Sequence, residues 1–369
     1  MTSQKALYPL RFKEILRDYG FGGRWIVDEF DKDELPEDHR IAETWETVDR
    51  PGESSEIING HLVGKTLHDA IEIYGADLLG SDIVSRLGTR YPLLIKFLDA
   101  SNVLGEQAHH SDEQALTLGL PDPGKTEAWY MLRTRPDATI HVGNADGVSR
   151  EVLEQALLDG TTKECMVERS VEPGDAFLLY AGTMHYAKGG VLFYEIMENS
   201  DVYIPLAKVN EDLSDAERKA RAAELADLVH LEDGFDCQTP PLTLDLGGGN
   251  RHTFIFACRY FSLERMDLQS PTDFVVDGQR FYVLSQIEGQ CDVIYGGCKE
   301  TLRSGQSCLI PASVGAVRLV PGEGAAMLKS SVPDLAGGII APLREAGFSD
   351  AEIAGLGGKT RLNDLLPLL

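Results

Sequence analysis

From residue 91 onward the apolar positions fall into short blocks: YPLLIKFLDA, EQAH, TEAWYMLRT, ATIHVG, CMVERSVEPGDAFLLYAG and GGVLFYEIM. Each is rich in β-branched and aromatic residues and ends on turn formers, a pattern that predicts the strands of a β-sandwich or barrel. Residues 1–90 mix strand-like pieces (SSEIING, HLVG) with helical ones (HDAIEIYGADLLG). One helix is predicted inside the strand-rich part: VSREVLEQALLDG carries Val152, Leu153, Ala156 and Leu157 at helical spacing, Ser149 as N-cap and Gly160 as stop. A second, SDAERKARAAELADLVHL, opens with Ser214 and Glu217 in capping-box spacing and reads as a connector. Beyond it, TFIFACRYFSLERMDL, RFYVLSQIEGQCDVIYGG, QSCLIPASVGAVRLV and GAAMLKSSV again read as strands.

Two of these units resemble each other. VEPGDAFLLYAGTMH (171–185) and LRSGQSCLIPASVG (302–315) each run from a glycine turn through an apolar strand to a turn of small residues. The chain is therefore expected to be mainly β with some helix, built from two β-barrels of related design. Only the first unit closes on a histidine; Val314 and Gly315 stand near the matching place in the second.

Size and composition narrow the class. With 369 residues the chain is long for one domain, and 43% hydrophobic against 25% charged residues is the balance of a folded globular protein. The 59 acidic residues outnumber the 34 basic ones, leaving a formal charge of −25 that repels polyanions, so neither nucleic acid nor an anionic membrane is an expected partner. A phosphorylated ligand needs a local basic pocket. The six cysteines form no C-x-x-C pair, the N-terminal stretch has no apolar h-region, and nowhere do eighteen apolar residues run together. These features predict a cytoplasmic protein with reduced thiols.

GLPDPGKT (119–126) satisfies the phosphate-loop pattern G-x-x-x-x-G-K-[ST] letter for letter. Its flanks do not. Such a loop needs a strand before it and a helix after it, whereas SDEQALTL before Gly119 is turn-like or helical and EAWYMLRT after Thr126 alternates like a strand. Pro121 and Pro123 remove two backbone donors, and Asp122 adds a negative charge where phosphate would sit. A nucleotide site is not expected.

The lysine and glutamate of this stretch fit a different chemistry. Gln107 and His109 are two apart, so on a strand both leave the same face. Glu127 enters from the next strand and His185 from AGTMH. Two imidazoles, a carboxylate and an amide oxygen suit Zn²⁺ and leave coordination positions open. The bland alternative is that His109 is an ordinary strand residue and His185 a loop one, since a two-residue spacing is a weak signal. Lys96 interrupts the apolar run PLLIKFL, and Lys125 lies two residues before Glu127. Cations beside a metal suit an anionic or enolate-forming substrate; the bland alternative is solvent-facing lysines, which fits Lys125 better than Lys96.

Taken together, PLLIKFLDAS, the Q-x-H of EQAHHSDEQA, GKTEAWY, VEPGDAFLLYAGTMHYAKGG and EIMENSD resemble, in order and spacing, the bacterial type I phosphomannose (mannose-6-phosphate) isomerase family. So do FGGRW, AETWETVDRPGESSEIINGHLVGKTLHDAI and VLSQIEGQCDVIYGG, which extends the likeness over nearly the whole chain. The resemblance implies the cupin fold as two jelly-roll-like barrels: residues 1–210 with the zinc site, a helical connector at 211–235, and a second cupin-like barrel at 236–369. It implies zinc bound by Gln107, His109, Glu127 and His185, and it places Lys96 and Lys125 in the substrate pocket. Glu195 and Asp201 match acidic positions of the family's E-x-x-x-x-S-D segment.

One departure stands out. Where the family carries an active-site arginine after this segment, SDVYIPLAKVN has Pro205, and Lys208 is the nearest cation downstream. A proline supplies none of the five donors of a guanidinium. His110, where proline is common in the family, is expected to point away from the metal.

The function implied is aldose-ketose isomerisation of a sugar phosphate, mannose 6-phosphate and fructose 6-phosphate. Lys96, Lys125 and Glu195 are the catalytic candidates, Lys96, Lys125 and Asp201 the substrate-binding ones, with the acid/base drawn from Lys125 or Glu195. A non-catalytic zinc-containing binder of sugars, motivated by Pro205, and a metal-dependent oxygenase built on two histidines and a carboxylate are the competing readings. The sequence leaves the oligomeric state open, with a monomer as the plain expectation.

Overall fold

A computed structural model describes residues 5–30, 32, 39–209 and 212–369; the expected boundary between 210 and 211 lies outside the described residues. The fold is mainly β, as the pattern predicts, and jelly-roll-like, as the family resemblance implies. In its first half eleven strands position the site: β1 (Ile15–Arg17), β2 (Glu43–Thr47), β3 (Leu93–Ala100), β4 (Leu104–Ala108), β5 (Glu127–Thr134), β6 (Thr139–Asn144), β7 (Met166–Ser170), β8 (Ala176–Leu179), β9 (His185–Ala187), β10 (Val191–Glu198) and β11 (Ile204–Pro205).

Among the described residues they form two antiparallel sheets, ordered β8-β5-β10-β3-β2-β1 and β7-β6-β9-β4-β11. The sheets face each other across Leu98, Trp129, Met131 and Phe193 from the first and Leu104, Ile140, Val142 and Ala187 from the second. They are separate hydrogen-bonded ladders, so the expected barrels are sandwiches rather than cylinders closed by hydrogen bonds.

The central strands explain why an unbroken apolar run carries a lysine. Every residue of LLIKFLDA in β3 and of VLFYEIME in β10 is buried, as expected of strands covered on both faces. Leu93, Ile95, Phe97, Tyr194 and Ile196 turn outward and pack on Leu263, Val283 and Leu328 of the second half. The alternation then sends Lys96 and Glu195 into the sandwich, and a slip of one residue would reverse both.

Among the described residues the second half supplies eight strands of a nine-stranded antiparallel sheet folded around Met266, Leu284, Val293, Leu319 and Met327. Its edge is taken by Leu10–Arg11 from the N-terminal segment, which pairs with Ser307–Ile310. Three helices matter for the site. Helix α1 (Asp112–Leu118) is closed by a capping box of Ser111 and Gln114, and α2 (Arg150–Asp159) runs from the Ser149 cap to Gly160 in the left-handed conformation. Helix α3 (Asp215–Leu228) has the expected box of Ser214 and Glu217. Its apolar face, Ala222, Leu225 and Ala226, lies on Leu153 and Leu157 of α2. Among the described residues no helix is long and apolar enough to cross a membrane.

Candidate metal and substrate site

The open end of the sandwich is built by strand register. His185 of β9 lies directly opposite Gln107 of β4, so both side chains leave the sheet on one face. His109 follows just past the end of β4, its carbonyl accepting the Gly182 N–H at 2.8 Å. Gly182 itself has φ +85°, and a Cβ there would come within 2.9 Å of the Leu228 carbonyl, so the turn before His185 requires glycine. Glu127 opens β5 on the facing sheet.

The phosphate-loop look-alike becomes a clamp on this glutamate. Gly119 ends α1 in the left-handed conformation. The Gly124 N–H donates to Asp112 Oδ1 at 2.9 Å, the Thr126 N–H to Glu198 Oε1 at 2.8 Å, and the Lys125 N–H to the His110 carbonyl at 2.9 Å. Amides that a phosphate would need are thus already paired with the protein's own oxygens, and a strand follows.

His109, Glu127 and His185 bring one ligand atom each within 4.8 Å of one another, and all three are buried. His185 Nδ1 lies 2.9 Å from the Thr183 carbonyl; a carbonyl can only accept, so Nδ1 carries the proton and Nε2 presents a bare lone pair. That Nε2 sits 2.9 Å from Glu127 Oε1, and His109 Nε2 sits 3.7 Å from Glu127 Oε2. Neither contact has hydrogen-bond geometry: both imidazole Nε2 atoms and both carboxylate oxygens are buried without a hydrogen-bond partner. Buried polar atoms left in that state are costly, and two acceptors at 2.9 Å call for a cation between them. These residues can hold a metal ion.

The electrostatics agree. Burial, reinforced by Lys125, lowers the His109 pKa to about 3, which keeps the imidazole neutral as a metal ligand requires. Burial alone would raise Glu127, but Lys125, His185 and His109 outweigh it and hold the carboxyl well below the usual range. The ammonium of Lys125 lies 3.1 Å from Glu127 Oε2. Lys125 is therefore buried against the site, and the bland alternative of a solvent-facing lysine does not hold; the carboxylate offsets the desolvation of the ammonium.

Beside this group, one row crosses four strands on the inward face: Trp129, Glu195, Lys96 and Trp45 are successive cross-strand partners. Lys96 Nζ lies 3.2 Å from Glu43 Oε2 and 3.6 Å from both Glu195 Oε2 and Asp201 Oδ1. Burial would lower its pKa, yet Glu43, Glu195 and Asp201 prevail and raise it, so Lys96 stays an ammonium. Glu195 Oε1 accepts from the Trp129 indole N–H at 2.9 Å. Burial first, then the charge of Glu127, pushes the Glu195 pKa up to about 7 against the pull of Lys96 and Lys125. All eight residues singled out from sequence, Asp201 among them, thus come to one end of one sandwich.

Other expectations fare differently. Pro205 pairs with Gln107 at the exposed edge strand β11 and brings no charge. Lys208 does not stand in for an arginine there: it lies against Gly160 at the C-terminus of α2, where an added Cβ would meet its own Cβ at 2.8 Å. His110 faces Glu113, Gln114, Arg221 and Glu224 at a cavity beside α3, away from the metal ligands. Sequence reading overlooked Glu43, Trp45 and Trp129. The Trp45 indole N–H donates to Glu43 Oε2 at 2.7 Å and steers that carboxylate onto Lys96. The E-x-W spacing in AETWET, two polar-tipped residues on one strand face, is the signal that could have found them.

Comparison with known proteins bears on this arrangement. Residues 10–164 match the model for the phosphomannose isomerase type I catalytic domain, and residues 250–328 that for the mannose-6-phosphate isomerase cupin domain. The chain is 29% identical over 323 residues to the mannose-6-phosphate isomerase ManA of Bacillus subtilis, covering 84% of this chain and 95% of that one. It is 26% identical over 313 residues to the mannose-6-phosphate isomerase of Streptococcus mutans, covering 83% and 93%. Among solved structures, the mannose 6-phosphate isomerase from Bacillus subtilis superimposes with a TM-score of 0.73 at 23% identity over 88% of this chain and 99% of that one. A phosphomannose isomerase from Salmonella typhimurium gives 0.71 at 18% identity over 87% and 99%. At those identities the structures attest the fold.

Proposed function

Because the chain belongs to the type I phosphomannose isomerase family, we propose that it interconverts mannose 6-phosphate and fructose 6-phosphate with a zinc ion held by Gln107, His109, Glu127 and His185. The observation that carries this reading is the set of buried ring nitrogens and carboxylate oxygens of His109, Glu127 and His185 that lack a hydrogen-bond partner, with Lys125 ion-paired to Glu127 at 3.1 Å beside them. His185 Nε2 and His109 Nε2 lie 2.9 and 3.7 Å from the two Glu127 oxygens, so these residues would be near enough to hold one zinc ion together. Gln107, opposite His185, offers a neutral oxygen from the same face. Zinc supplies a Lewis acid that stabilises negative charge on the sugar's carbonyl and hydroxyl oxygens.

The chain's own groups do the rest. Isomerisation shuttles a proton between C1 and C2, and its carrier must exist in both states near neutral pH. Lys96 is locked as an ammonium by three carboxylates, whereas Glu195, held by the Trp129 indole and poised near pH 7, fits the task. We assign the proton to Glu195. Lys96 and Lys125 then fix the substrate oxygens as charge shifts onto them, and Asp201 orients Lys96.

The test is a coupled assay of the purified protein against aldose and ketose phosphates and free sugars, before and after chelation. Turnover of mannose 6-phosphate that disappears with the metal and returns with zinc is the expected result. Full activity in a verified metal-free preparation would sink the zinc mechanism, and ligand binding without deuterium wash-in at C2 would leave a binder in place of an enzyme.

A further inference from the structure

If the substrate is a sugar phosphate, as just proposed, it brings a dianion to a site whose visible cations are already matched. Lys125 is neutralised by Glu127 at 3.1 Å and Lys96 by three carboxylates within 3.6 Å. The edge strand β11 contributes Pro205, and Lys208 lies beside Gly160. A further cation has to come from another element.

The opposite edge of the larger sheet provides one. In the ladder between β1 and β2, Ile15 faces Trp45 and Arg17 faces Glu43, so Arg17 leaves the sheet on the side that carries Trp45, Lys96 and Glu195. The strands of Lys96 and Arg17 are two places apart, roughly 10 Å at the backbone. Both long side chains lean onto the indole between them: the Arg17 guanidinium carbon lies 4.2 Å from the Trp45 ring centroid and the Lys96 ammonium 5.0 Å. The two cations therefore flank one ring.

Arg17 is oriented without being used up. One amino group is ion-paired to Glu53, and the other makes a long 3.5 Å contact with the Leu16 carbonyl. Its Nε makes no hydrogen bond among the described residues. The side chains of Arg17 and Glu53 are 23% and 32% exposed, and a pair that reaches water contributes little, so an incoming dianion can share or displace it. Asp201 and Tyr19 lie within electrostatic range of Arg17, which places the guanidinium at the rim shared with Lys96. Tyr19 is 44% exposed there and offers an aromatic face to a sugar ring. A planar fork stacked on an indole, with one amino group held only by a long contact and the other by a water-exposed pair, is an arrangement that can recognise phosphate bidentately.

We propose that Arg17 receives the phosphoryl group of the substrate and makes the enzyme selective for phosphorylated over free sugar. The experiment compares wild type, Arg17→Ala, Arg17→Lys and, as a control, Lys208→Ala, with mannose 6-phosphate and mannose as substrates and with inorganic phosphate as competitive inhibitor. Loss of charge-assisted hydrogen bonds should raise KM for mannose 6-phosphate about 10- to 100-fold in Arg17→Ala. Inhibition by phosphate should weaken in step, turnover of free mannose should stay the same, Arg17→Lys should fall between, and Lys208→Ala should match wild type. Equal effects on both sugars, or unchanged phosphate inhibition, would overturn the assignment while leaving the isomerase reading intact. Calorimetric titration of the same proteins with mannose 6-phosphate separates the two ideas in the other direction. In a protein without turnover, affinity lost with Arg17 still supports the assignment, and affinity retained without Arg17 refutes it.

Discussion

Each half of the molecule buries a glutamate beside a lysine and a histidine, and the two clusters have opposite fates. In the second half Glu264 lies opposite Lys329 in the ladder and pairs with it at 2.6 Å, while the same oxygen meets His252 Nε2 at 2.5 Å. Burial would raise its pKa, but Lys329 and His252 bring it below the ordinary value. The Lys329 ammonium also lies over the rings of Tyr282 and Phe274, at 5.3 and 5.6 Å. In the first half Glu127 has Lys125 within 3.1 Å, yet its oxygens and the Nε2 atoms of His109 and His185 find no hydrogen bond. Residue types are nearly the same. The difference lies in protonation and aim: the Thr183 carbonyl takes the only proton His185 has to give, so its lone pair and the carboxylate face one another and await a cation. A cluster whose members satisfy each other is complete by itself; one whose members converge without doing so can hold a further ion.

The largest expected effect comes from breaking the unsatisfied cluster. In His185→Ala the zinc content measured by elemental analysis should collapse, with metal affinity reduced by at least about 100-fold, since even outer partners of metal ligands are worth 10- to 100-fold. Unchanged stoichiometry would remove His185 from the ligand set and erase the contrast with the second half.

Next comes the proton carrier. Glu195→Gln should keep its zinc and lose about 100- to 10,000-fold in kcat. On the proposed assignment the carboxylate is the form that abstracts the proton, so kcat/KM should rise with pH to a plateau, with its midpoint at or below about 7, because a bound cation draws the pKa down from that value. Glu195→Gln should flatten this acid limb. A limb that persists unaltered in the variant would assign the proton to another group.

The smallest effect on chemistry, though not on stability, belongs to the satisfied cluster. Removing one partner of a buried ion pair costs about 3–5 kcal/mol, so Glu264→Ala should unfold at lower denaturant concentration while keeping its full zinc complement and its KM. Loss of zinc from that variant at temperatures where it remains folded would show that the two halves are not functionally separate.

Local rules made much of this legible. Ser149, Gly160 and the box of Ser214 and Glu217 bound their helices because capping is decided within four residues of chain. The spacing of Gln107 and His109 pointed to one strand face, and the flanks of GLPDPGKT argued against a nucleotide before any coordinates. Lys125 was harder to place, since whether an ammonium meets solvent or a buried carboxylate depends on how the loop before β5 folds back. The E-x-W spacing put Glu43 and Trp45 on one strand face, but their approach to Lys96, and the place of Arg17 beside them, arise from register across β1, β2 and β3, strands separated by long stretches of chain.

By itself the sequence determined the strand-rich character, the helix ends, the ligand types and the absence of a charge at Pro205, all of which follow from side-chain chemistry and short-range periodicity. Only the tertiary structure decided that Lys208 stands elsewhere, that Arg17 and Lys96 share one indole, and that the lone pairs at Glu127 are left unmatched. Those outcomes depend on which edges meet and which face turns inward, and pairings between distant strands are set by packing of the whole sandwich rather than by any one segment.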